Sequence, residues 1–95
     1  MLTLPAELTF AQARACAQQL VQALRQSGLP GQEGASHVVL DASALQVFDS
    51  SALAVLLECR RAALAQGRAL TVQAMPEGLH NLAELYGVQE LLTRR

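Results

Sequence analysis

The sequence predicts a small α/β domain: an open, largely parallel β-sheet of three or four strands with helices packed mainly on one side. Three observations lead there. Strand-like and helix-like hydrophobic patterns alternate along the 95 residues, and right-handed crossovers between parallel strands place helices against such a sheet. The hydrophobic content is 52%, dominated by 18 Leu and 17 Ala with no Trp, Ile or Lys, so the core is aliphatic. Charged residues make up 16% of the chain and the net charge is −1, whereas ordinary domains carry about 25% charged residues and disordered chains combine high net charge with few apolar groups. A single domain over residues 1–95 is expected, since a chain of this length buries roughly 60–65% of its unfolded surface.

Leu2 and Leu4 alternate with Thr3 before Pro5, a short strand that the proline ends. Thr9 and Gln12 have the spacing of a capping box, so a helix starts there. Its buried stripe is Cys16, Ala17, Leu20, Val21 and Leu24, at three- and four-residue intervals. Ser27-Gly28-Leu29-Pro30-Gly31 stops it, and Gln32 to Ser36 reads as a loop. His37-Val38-Val39-Leu40-Asp41 is a run of the kind buried on both faces of a central strand.

After the turn-rich Ala42 to Val47, one of Asp49, Ser50 and Ser51 is expected to cap a second helix that runs to about Gln66, with Gly67 as its stop. Leu53, Leu56, Leu57 and Leu64 fall on one stripe facing the sheet. The opposite side carries Val55, Glu58, Cys59 and Ala62, weakly polar for a solvent face and therefore a candidate partner surface. Ala69 to Ala74 reads as a third strand closed by Pro76. A third helix follows with Leu79, Leu82, Leu85 and Tyr86 on one side, broken at Gly87. Val88, Leu91 and Leu92 form a last apolar turn before Arg94-Arg95.

The same residues exclude several chemistries. Cys16, His37, Cys59 and His80 stand 21, 22 and 21 residues apart, without the close pairs of structural zinc sites, so no metal site is expected. Both thiols read as buried, reduced hydrophobes in a reducing cytoplasm. His37 and His80 read as ordinary hydrogen-bonded or exposed histidines. No glycine-rich phosphate loop is present, and no cofactor is implied. Ser50 and Ser51 lack the G-x-S-x-G elbow of a hydrolase, so no enzyme is expected. The near-neutral charge argues against nucleic acid. The longest apolar run, Ala52 to Leu57, falls far short of a membrane span, and no signal segment follows Met1. A cytoplasmic protein without direct membrane insertion is expected. A serine at a helix N-terminus lies beside free N–H groups, where an added phosphate would be well placed although Asp49 opposes it; equally, the Asp49-Ser50-Ser51 corner reads as a simple cap.

Val38-Val39-Leu40-Asp41 followed by Phe48-Asp49-Ser50-Ser51-Ala52-Leu53-Ala54-Val55-Leu56-Leu57 resembles the STAS domain family. That family includes bacterial anti-sigma-factor antagonists and the STAS subunit of the Mla phospholipid-transport ABC complex. Leu4-Pro5-Ala6-Glu7-Leu8-Thr9 and the tail Leu79 to Leu92 resemble its entry to the first helix and its closing helices. Ala52 departs from the family's usual Gly, and the outermost strands are missing, so a smaller sheet is expected. The resemblance implies a non-catalytic module whose partner-binding or phosphoacceptor residue is Ser50, supported by Asp41, Asp49, Ser51 and Ala52. On this resemblance the partner is the ATPase of an ABC-type phospholipid transporter serving outer-membrane lipid asymmetry, which would place the chain peripheral to the inner membrane. The alternative is an anti-sigma-factor antagonist that binds an anti-sigma kinase and is switched by serine phosphorylation.

Overall fold

Proline, glycine and aspartate punctuate the short apolar runs and set where each element stops. In the computed structural model, which describes residues 2–27 and 37–92, the order is β1 (Leu2–Thr3), β2 (Glu7–Leu8), α1 (Phe10–Ser27), β3 (His37–Asp41), β4 (Val47–Phe48), α2 (Ser50–Ala65), β5 (Ala69–Gln73), α3 (Glu77–Leu85) and α4 (Gln89–Leu92). The helix stop after Ser27 and the loop expected over Gln32 to Ser36 lie outside the described residues.

β1, β3 and β5 form a parallel sheet with β3 central, in the register Leu2↔Leu40 and Leu40↔Val72. A separate parallel pair joins β2 to β4, Glu7 opposite Val47 and Leu8 opposite Phe48. β1 shows in the alternation of Leu2 and Leu4, whereas the two-residue β2 and β4 carry too little alternation to be foreseen from sequence. In β3, Val38 and Leu40 are buried while His37, Val39 and Asp41 are half-buried; β5 repeats the pattern with Leu70 and Val72 inside. Helices therefore seal one face of the sheet, and the expectation that β3 is buried on both faces is corrected, since His37, Val39 and Asp41 are only half-buried. On the more open face His37 Nε2 lies 2.9 Å from Thr71 Oγ1, which gives the histidine an ordinary cross-strand role.

α1 starts as its capping box predicts, with one variation. The Thr9 N–H and the Thr9 hydroxyl both donate to Gln12 Oε1, at 2.9 and 2.7 Å, and the Gln12 N–H returns to the Thr9 carbonyl. Cys16, Leu20 and Leu24 form the buried line of α1, against α2. α2 ends in a left-handed turn at Gly67, φ +73°. The Gly67 N–H reaches the Leu64 carbonyl and the Arg68 N–H reaches Ala63, the paired closure that a glycine in this conformation permits. Gly87 closes α3 in the same manner, with Gly87 bonded to Glu84 and Val88 to Ala83.

α2 packs on α1, β5, α3 and α4, so its surroundings decide its burial more than a single stripe does. Leu53 and Leu56 are buried and Leu57 is half-buried, as the stripe predicts, but Leu64 is 48% exposed near the end of the helix. On α3, Leu79 and Ala83 are the buried residues, Leu82 is half-buried, and Leu85 and Tyr86 are exposed. These two corrections share a cause: each misplaced side chain sits at the last turn or cap of its helix, beyond the elements that cover the earlier turns.

Leu56→Ala is expected to destabilise the fold by about 2–5 kcal/mol, because it removes a fully buried side chain. Leu64→Ala is expected to fall within about 0.5 kcal/mol of the parent. Equilibrium denaturation of the pair checks the inside and outside of α2 in one experiment.

Candidate functional site

The start of α2 is built around one carboxylate. Asp49 is the N-cap, and its Oδ1 accepts the Ser51 N–H at 2.8 Å. Its Oδ2 accepts the N–H of Phe10, the first residue of α1, at 3.1 Å. A single side chain thus binds the first turns of two helices, although Phe10 and Asp49 are 39 residues apart in sequence. Desolvation pushes the Asp49 pKa up, but hydrogen bonds from the Ser51 and Phe10 backbone and from the Ser51 side chain outweigh it, leaving the carboxyl below its ordinary value.

The neighbouring hydroxyls divide their roles. Ser51 is half-buried and faces Asp49, whereas Ser50 is exposed and its hydroxyl has no hydrogen-bond partner among the described residues. Ala52 is fully buried, so the methyl that stands at this position packs inward under the site. Asp41 ends β3, where its Oδ1 accepts the Ser43 N–H at 2.9 Å. It shapes the turn leaving the central strand, and among the described residues it makes no hydrogen bond to Ser50 or Asp49. Of the two acidic residues expected near the hydroxyl, Asp49 touches its surroundings directly and Asp41 serves its own turn.

The apolar face expected to meet a partner is corrected. Val55 is 3% exposed and Cys59 is 0% exposed, and Ala62 is half-buried against the core. α1 packs along α2, and a helix that is apolar most of the way round is an enclosed helix. The side that α2 leaves open is instead the line Ser50, Ala54, Glu58 and Arg61, spaced as successive turns of one helix face. Glu58 and Arg61 pair with each other on it. Cys59 is held up to about 12 by burial first and then by its neighbours Cys16 and Glu58, and the Cys16 thiol is also raised by burial. Both thiols are free, buried packing groups.

Phe10 is the residue of this site that sequence did not single out. It is 82% exposed, in a chain with only 3% aromatic residues. Its spacing to Ala13, Ala17, Leu20 and Leu24 is that of a core position, so periodicity places it inside. The structure places it outside because it is the first residue of α1, where its N–H reaches across to Asp49. Val47, on β4 just before Asp49, is also exposed. Exposed residues thus stand near the head of α2, Phe10 through its N–H bond to Asp49 and Val47 three residues before Ser50 in sequence.

The site is an exposed hydroxyl at the head of an enclosed helix in a small α/β domain, with no His/Cys/Asp/Glu cluster fit for a metal ion among the described residues. The family model described as Mlab, STAS domain matches residues 1–93, and the chain belongs to the STAS domain family. Domains of this family are in general non-catalytic regulatory or interaction domains. No curated protein matches the chain. No helix among the described residues is long and apolar enough to cross a membrane.

Asp49→Asn keeps a capping oxygen but loses the charge and the second acceptor. Because the folded-state pKa of Asp49 is lowered, its contribution to stability is present above the unfolded value of about 3.9 and is lost as pH falls through the folded value. The variant is expected to melt lower than the parent at neutral pH, with the gap narrowing below about pH 4. Thermal melts between acid and neutral pH check this, and a gap that stays constant across the range counts against the assignment.

Proposed function

We propose that this chain is a non-catalytic STAS subunit that binds and supports the ATPase of an ABC-type phospholipid transporter, on the cytoplasmic side of the inner membrane, through the surface around Ser50. The observation that carries the reading is the exposed, unengaged Ser50 hydroxyl at the head of α2, next to Asp49, to which exposed Phe10 is bonded through its N–H. The Mlab description of the matching family model points the same way. A solvent-exposed aromatic together with a free hydroxyl has the make-up of an interface hot spot, an apolar anchor with one polar contact to fix its orientation.

The alternative, a phosphorylation switch that answers to an anti-sigma kinase, draws on the same serine. Local electrostatics favour the docking reading over it. A phosphate on Ser50 adds nearly two negative charges beside the Asp49 carboxylate, which already holds the Ser51 and Phe10 N–H groups that could have received it.

Affinity purification of the chain from its native host is expected to retain an ABC ATPase. Phe10→Ala is expected to weaken that association by more than about 1 kcal/mol as the loss of an aromatic anchor. Ser50→Ala is expected to cost about 0.5–1.5 kcal/mol, one hydrogen bond net. Ser50→Glu is expected to cost more, because a charge is then desolvated in the interface. Retention of a serine kinase without any ABC component, together with phosphorylated Ser50 in cells, overturns the transporter reading.

A further inference from the structure

The exposed line that begins at Ser50 continues into a groove. Asp49 ties the heads of α1 and α2 together through the Phe10 and Ser51 N–H groups, and the two helices pack along each other. Between them lies an open cavity of about 1000 Å³, lined by Arg14, Ala17, Val21 and Arg25 of α1 and by Ala54 and Glu58 of α2. Ala54 and Glu58 are the turns of α2 that follow Ser50 on its open line. Phe10, Arg14, Ala17 and Val21 are spaced by four, three and four residues, the repeat of a single helix face. One wall of the groove therefore extends the Ser50 line and the other extends the face that Phe10 begins. The charge of the groove is one-sided. α1 has no Asp or Glu along its length, and among the described residues neither Arg14 nor Arg25 has a carboxylate within ion-pair distance. Glu58, the acid on the α2 wall, is taken by Arg61.

We infer that the groove receives an acidic amphipathic helix of the ATPase, one of whose carboxylates pairs with Arg14 and another with Arg25. The inference rests on the transporter reading and adds to it the chemistry of the segment that the ATPase presents. Charge complementarity sets the sign of that segment, because a basic or neutral one leaves both guanidinium groups unpaired in the contact. The floor sets its other half: Ala17, Val21 and Ala54 are small or aliphatic, so they take apolar side chains at close approach. The length sets its form. Arg14 and Arg25 are eleven residues apart, about 16 Å along α1 at 1.5 Å per residue. A helix laid along the groove repeats that spacing, and residues eleven apart on it share one face, with apolar residues between them on the same face. Arg14 stands one turn after Phe10, so the first of these ion pairs forms at the end of the groove nearest the Ser50 site.

The test uses the complex of the chain with the ABC ATPase retained from its native host. A photo-crosslinking phenylalanine analogue in place of Gln18, on the groove wall, is expected to capture an ATPase peptide rich in Asp and Glu. The same analogue in place of Tyr86, an exposed residue that does not line the groove, is expected not to reach that peptide. Arg14→Ala with Arg25→Ala is expected to raise the dissociation constant about tenfold and to flatten its dependence on salt. Arg14→Glu with Arg25→Glu is expected to weaken binding further, and arginines in place of the captured acids of the ATPase are expected to restore it. Circular dichroism checks that both variants remain folded. A parent that retains no ABC ATPase overturns the transporter reading and this inference with it. A parent that retains the ATPase while the folded double variants bind it as tightly overturns this inference alone, as does capture of a peptide without acidic residues. Binding of the purified chain to phosphatidylglycerol vesicles that the glutamate variant abolishes, with the ATPase complex unchanged, assigns the groove to lipid and likewise overturns it.

Discussion

α1 lies along α2 because the residues flanking α2 hold both of its ends with the charge each end favours. Asp49, just before α2, receives the N–H of Phe10 at the positive end of α1, and Arg68, just after α2, donates to the Leu24 carbonyl near its negative end at 3.1 Å. A helix carries roughly half a positive charge at its N-terminus and half a negative charge at its C-terminus, so both contacts have the favourable sign. With 18 residues in α1 and 16 in α2, the helices differ by only about 3 Å in length at 1.5 Å per residue. Two contacts therefore fix register and direction together. Arg68 is buried and its guanidinium also bonds Gln66 Oε1 at 2.9 Å, so the end of α2 and the end of α1 are locked through one side chain.

That arrangement decides which part of α2 remains available. Once α1 covers Val55 and Cys59, and β5, α3 and α4 pack against the remaining flanks, the helix has one open line, which begins at Ser50. The same carboxylate that caps α2 brings Phe10 to the site, so the geometry of the hydroxyl and that of the exposed ring are coupled through Asp49. Stability and recognition meet in this side chain, and a change there alters both at once.

Much of this was legible in the residues. The order of the main strands and helices, the central place of Val38 to Leu40, the Thr9–Gln12 cap, the glycine stops and a cap within Asp49-Ser50-Ser51 all follow from local rules, because short-range hydrogen bonding and backbone freedom act within a few residues. What failed depended on tertiary neighbours. The apolar side of α2 with Val55 and Cys59 has the same pattern whether it meets α1 or a partner, and hydrophobic periodicity cannot tell the two apart. Phe10, Leu64, Leu85 and Tyr86 have core spacing or core chemistry, yet each sits at the first or last turn of its helix or on its cap, where the covering elements run out. The β2–β4 pair depends on a contact between segments 40 residues apart, and two residues of each carry no signal of it.

Ser50 and Ser51 show how a one-residue offset separates structure from recognition. At the head of a helix, successive side chains point about 100° apart, so when the cap draws Ser51 toward Asp49, Ser50 is turned outward. A hydroxyl in the cap is already used by the fold, and replacing it disturbs the helix start before it disturbs any partner. The outward hydroxyl contributes little to the helix start, and its free donor and acceptor leave it open to a contact from outside. Ala52, the next residue, is fully buried in the core and adds nothing to the surface.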